Sequence, residues 1–120
     1  MRAVLSKAAG GPETLVVEDV LDPTPKPGEV VIEVKAVGIN YPDTLIIEDK
    51  DQFRPERPFS PGAEVAGVVE AVGQGVKNVR KGDRVIAVPG RGGLVERLAV
   101  RAETVIPIPE AMSFEEAAAL

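Results

Sequence analysis

Glycine and proline dominate the architecture of this chain: 12 glycines and 11 prolines are scattered along 120 residues as punctuation. Proline fixes φ and removes a backbone donor, while glycine opens turns that other residues resist. What they separate is mostly short runs of β-type residues. Many short strands joined by Gly/Pro turns, with few helices, predict a barrel or a sandwich. No internal repeat is visible, and the spread of the breakers excludes a low-complexity segment.

The runs can be placed along the chain. Residues 2–7 and 15–20 are the first two strands, parted by Gly10-Gly11-Pro12. The stiff Asp22-Pro23-Thr24-Pro25-Lys26-Pro27-Gly28 loop cannot enter a sheet interior. Residues 29–37 make the strongest strand. Val30, Ile32, Val34 and Ala36 share one face, with Val31, Glu33, Lys35 and Val37 on the other, the pattern of an antiparallel strand with one wet face. A short helix is predicted over 41–48, with Pro42 and Asp43 suited to its start. Further strands follow at 64–72, 84–88, 94–100 and 104–106. Gly67, inside one of them, marks a bulge or a close backbone approach. Ser113-Phe114-Glu115-Glu116 reads as a capping box opening a last helix.

Charge and absent residues narrow the function. With 14 Lys+Arg against 19 Asp+Glu, the net charge of −5 opposes a nucleic-acid groove and an anionic membrane surface. There is neither Cys nor His, which removes thiol nucleophiles, imidazole triads, disulfides and Cys/His zinc sites. No apolar run approaches the roughly 18–20 residues of a spanning helix. The start is too short and too soon charged for a signal peptide, and the lack of Cys fits the cytoplasmic location expected.

Six segments then fall in a particular order: Gly38-Ile39-Asn40-Tyr41-Pro42-Asp43, Pro58-Phe59-Ser60-Pro61-Gly62-Ala63-Glu64-Val65-Ala66-Gly67, Val72-Gly73, Lys81-Gly82-Asp83-Arg84-Val85, Ile108-Pro109 and Ala117-Ala118-Ala119-Leu120. As an ordered set they resemble the N-terminal GroES-like domain of medium-chain dehydrogenases/reductases, in the zinc-free quinone oxidoreductase (zeta-crystallin-like) branch. The resemblance implies a mainly β fold, a GroES-like partly open β-barrel with a few short helices. It implies that residues 1–112 form the substrate-side domain and that 113–120 start the helix leading to a Rossmann domain absent from this chain. That domain binds NADPH in the family. Gly90-Arg91-Gly92-Gly93 is no substitute, because it lacks the G-x-G-x-x-G spacing and precedes a strand.

The function so implied is NADPH-dependent reduction of quinones or α,β-unsaturated carbonyls by the parent enzyme, the present chain being inactive alone. Zinc-dependent relatives carry a cysteine at the position of Asn40 and a histidine at that of Ala63; an amide and a methyl group cannot replace those ligands. No metal is therefore expected. Asn40 either holds the cofactor ribose or substrate carbonyl, or caps the helix. Tyr41 either lines the substrate pocket or packs at an interface. Asp43 and Glu64 either back the site from behind or serve as a helix-start and a strand-end carboxylate. Relatives commonly place a glycine near Asp49 and an aromatic near Asp51, where this chain has aspartates; Phe53 is left to reach the pocket or anchor its loop. Homodimerisation through exposed barrel surface is a further expectation. The competing class is a non-enzymatic GroES-like oligomeric module of the co-chaperonin type.

Overall fold

We describe a computed structural model, covering residues 1–52 and 54–119. The Phe53 expectation lies outside the described residues. Two antiparallel assemblies make up the β structure. Strands β1 (Arg2–Leu5) and β2 (Val16–Asp19) form a hairpin. Strands β3 (Glu29–Gly38), β4 (Glu64–Val72), β5 (Arg84–Ala87), β6 (Arg97–Arg101) and β7 (Ile106–Pro107) form a sheet in the order β6-β3-β4-β5-β7. The hairpin is tied to the rest by single bridges, Ala3 to Val95 and Ser6 to Phe59. Two short helices complete the fold, α1 (Tyr41–Ile47) and α2 (Phe114–Ala118).

The core is aliphatic because the sheet's inner face is built almost entirely from valine and isoleucine. Val30, Ile32, Val65, Val69 and Val85 are essentially inaccessible and pack with Val79, Val100 and Val105. Burying each such side chain contributes about 1.5–3 kcal/mol. A second cluster joins Ile46 and Ile47 of α1 to Phe59 and Leu15. A third seats Ala117 and Ala118 of α2 on Ala66. The small residues there let the helix approach the strand closely.

β3 departs from its expected two-faced pattern. Val31 is buried along with Val30 and Ile32, and the wet face begins only at Glu33. The cause lies in register: the β3–β4 ladder shifts between Val31 and Ile32 and again between Val34 and Ala36, and such irregularities bend a strand and redirect its side chains. Gly67 shows why it is glycine. A Cβ at that position would collide with the Glu33 carbonyl across the ladder. On the wet face Arg97 reaches over β3 to Glu70 of β4, Nε lying 3.1 and 2.9 Å from the two carboxylate oxygens.

Five predicted strands come out shorter: β1, β2 and β5 lose only end residues, while β6 and β7 yield to other local bonding. Over 94–100 only the last part joins the sheet, since Gly92, Gly93 and Leu94 are drawn into hydrogen bonds with the loop at 60–62. Over 104–106 the chain first makes a 3-10 turn, Ala102–Thr104, where the Thr104 hydroxyl donates to the Arg101 carbonyl at 2.7 Å. Such local side-chain bonds compete with ladder pairing. Pro107, expected to halt the strand, is its last residue and sits on the sheet edge, the one place a residue without an N–H costs nothing.

Candidate active-site rim

The candidate site forms where β3 ends and α1 begins. Asn40 is extended (φ −125°, ψ 164°) and is the N-cap of α1, with Tyr41 and Pro42 filling the first helical positions. Asp43 closes a capping box: the Asn40 N–H donates to Asp43 Oδ2 at 2.8 Å. This satisfies one of the four donors that a helix start leaves open.

Asp43 does more than cap. It is 5% exposed, and its other oxygen, Oδ1, accepts from the Gly62 N–H at 3.3 Å. One buried carboxylate thus binds two separate loops, the end of β3 and the turn that leads into β4. The second loop is held again from the far side. Gly92 N–H donates to Ser60 O at 2.7 Å, Gly93 N–H to Gly62 O at 3.0 Å, and Gly90 N–H to Ala63 O at 3.3 Å. The Gly90-Arg91-Gly92-Gly93 run is therefore bonded backbone to backbone to residues 60–63, a close approach that glycine permits.

The side chains predicted for the site separate into two sets. Asn40 and Tyr41 are exposed, Tyr41 at 74%, so its side chain is not packed away within this chain. Asp43 lies behind them. Glu64 opens β4, is half-buried, and pairs in register with Gly38. Its carboxylate lies beside Gly38, near enough that a Cβ on that glycine would come within 2.8 Å of Oε2. Among the described residues no hydrogen bond joins Glu64 to Asn40 or Asp43. The carboxylate adjoins Gly38 at the end of β3, two residues before Asn40.

Sequence reasoning missed two neighbours. Ile39 is 57% exposed and Val88 is 64% exposed. Ile39 adjoins Asn40 in sequence, and Val88 lies two residues before the Gly90–Ala63 hydrogen bond. The register sets the ends of β3 and β5 across the start of β4, so Ile39, Tyr41 and Val88 put exposed apolar residues at the same end of the sheet as the Asn40 carboxamide, a combination that suits a flat, partly polar ligand. The signal available in the sequence was a lone apolar residue before a Pro-Gly turn, which β-propensity alone assigns to a strand end. Among the described residues no group of three or more carboxylates could hold a metal ion. Asn40 and Ala63 offer an amide and a methyl where zinc would need a thiolate and an imidazole. No described helix is long and apolar enough to cross a membrane.

Comparison with known proteins agrees with this architecture. The family model for the alcohol dehydrogenase GroES-like domain matches residues 26–110. Pig (Sus scrofa) quinone oxidoreductase is 40% identical over 122 residues, covering all of this chain and 37% of that protein. Among solved structures, the human synaptic vesicle membrane protein VAT-1 homolog-like protein superposes with a TM-score of 0.95 at 39% identity, covering 98% of this chain and 38% of that one. Escherichia coli quinone oxidoreductase complexed with NADPH gives a TM-score of 0.89 at 34% identity, covering 98% and 36% respectively. The chain thus spans little more than a third of the length of the relatives it matches. On its fold, its ordered motifs and these matches, the chain belongs to the alcohol dehydrogenase GroES-like domain family.

Proposed function

We propose that this chain is the substrate-side domain of an NADPH-dependent, zinc-independent oxidoreductase acting on quinones or α,β-unsaturated carbonyls. In this reading residues 1–112 form one wall of the catalytic crevice, and 113–120 lead toward a cofactor-binding domain. The observation that carries it is the Asp43 bridge, which fixes the Asn40 backbone and the Gly62 turn while leaving the Asn40 carboxamide and Tyr41 ring exposed on an apolar rim. A capped helix that served stability alone would not need its cap neighbours to be aromatic, aliphatic and exposed. The quinone oxidoreductases among the relatives support the substrate class.

The residues present fit a nicotinamide nucleotide at this rim: a carboxamide that both donates and accepts, beside apolar surface for a flat ring. When bound, that cofactor supplies the hydride. Asn40 holds the ribose or the substrate carbonyl by its carboxamide, and Tyr41 with Ile39 and Val88 walls the substrate. Asp43 keeps Asn40 in place. Such positioning accounts for catalysis without a Lewis acid at this site.

The test uses a longer protein in which this domain is followed by a cofactor-binding domain. NADPH oxidation with a quinone as acceptor should proceed in the presence of a strong metal chelator, and Asn40→Ala should lower kcat/KM at least tenfold. An enzyme that instead oxidises simple alcohols and is silenced by the chelator would refute the reading.

A further inference from the structure

The Lys81-Gly82-Asp83-Arg84-Val85 run plays no part in the site described so far, yet Arg84 of β5 is bound to three backbone carbonyls at once. One terminal nitrogen, Nη1, donates to Pro109 O at 3.0 Å and to Glu110 O at 3.1 Å; the other, Nη2, donates to Met112 O at 2.6 Å. The guanidinium carbon also stands 4.4 Å from the centroid of the Phe114 ring. Arg84 therefore grips the whole connection between β7 and α2, from its carbonyls to the first residue of the helix. Only arginine offers a rigid fork of donors together with a flat face that stacks on an aromatic ring; lysine offers a single mobile ammonium.

The grip continues into the candidate site by direct packing. Phe114, Met112 and Ile108 pack against the cluster of Ala117, Ala118 and Ala66. The Ala118 carbonyl lies so close to Gly38 that a Cβ there would collide with it, and the same Cβ would meet Glu64 Oε2 at 2.8 Å. Gly38 precedes Asn40 by two residues. A contiguous path thus runs from β5 through residues 109–114 and α2 to Gly38, Glu64 and Asn40.

We propose that Arg84 is a positioning residue for the rim: it fixes the seating of α2, and α2 in turn fixes the end of β3 that presents Asn40. Its importance for catalysis rests on the reading of Asn40 given above, but the coupling itself can be measured without any activity. The experiment is Arg84→Lys in the 120-residue chain, followed by amide hydrogen exchange and NMR. Exchange at Ala117 and Ala118 should quicken at least tenfold. The Gly38 amide and the Asn40 side-chain carboxamide should shift, while the Val30 and Val69 amides keep wild-type exchange rates. Phe114→Leu, which removes the stacking and keeps the fork, should move the same resonances in the same direction by less. Two results overturn the proposal. In one, α2 loosens while Gly38 and Asn40 stay unmoved. In the other, Val30 and Val69 speed up together with α2, which makes Arg84 a general stabiliser only. Either result leaves the oxidoreductase reading to be judged by its own enzyme assay.

Discussion

Asp43 shows how far a single side chain can be read from its neighbours in sequence. Its place beside Pro42 suits the start of a helix, and that half of its role was legible, although its bond to the Asn40 N–H was not read. The other half was not, because the Gly62 N–H lies 19 residues away and reaches it only once the β4 turn is folded. The structure makes a definite prediction here. Asp43→Ala leaves two backbone donors without an acceptor, one of them buried, at a cost of about 1–3 kcal/mol for the buried group. Asp43→Asn keeps an acceptor for one of them and should lose clearly less. Urea unfolding of the wild type and the two variants measures the differences; three equal midpoints would mean that the bridge contributes nothing. Of the two roles weighed for Asn40 the structure shows the N-cap position, and it leaves the residue exposed. Arg84 was in view as part of a motif but had no assigned task, because its partners are carbonyls 25 to 28 residues further on.

Among the elements, the ones with strong alternation or clear caps were the ones the sequence placed well. β4 runs over the predicted residues 64–72, and α1 begins at Tyr41 behind its cap. The failures have a common origin in non-local pairing. Leu94, placed by its sequence at the start of a strand, bonds with Gly92 and Gly93 to the 60–62 turn instead of the sheet, and β3 buries Val31 where its ladder slips by a residue. Helix α2 offers a test at this scale. Ser113 N–H donates to Glu116 Oε1 at 3.0 Å, and Glu116 N–H donates to Ser113 Oγ at 3.0 Å. The Ser113 backbone N–H, and after it the Ser113 side chain, hold the Glu116 carboxyl below its ordinary value of 4.5. A group with a depressed folded-state pKa stabilises fully above its unfolded value and loses that contribution as pH falls through the folded one. Amide protection in α2 should therefore be constant above about pH 5 and decline below roughly pH 4.5, ahead of the β3 and β4 core. Glu116→Gln should remove that acid-side step, since a neutral side chain has no proton to gain. Persistence of the step in Glu116→Gln would assign it to another carboxylate.

At the scale of the whole molecule, the fold class was written in the breakers and the family in the order of the motifs, but the composition of the rim was not. Ile39, Asn40, Tyr41 and Val88 come from two distant segments, and their common edge depends on the β3–β4–β5 order of the sheet. Only topology could bring them together. On the function proposed above, the resulting surface, a polar residue set among apolar ones, is one wall of a crevice that a facing cofactor domain completes. NADPH titration of the isotope-labelled 120-residue chain, followed by NMR and calorimetry, tests this most directly. Weak shifts at millimolar ligand, confined to the amides of Ile39, Asn40, Tyr41 and Val88 with no measurable heat, are the predicted result. Micromolar binding, or shifts that map to the β1–β2 hairpin instead of the rim, would contradict it.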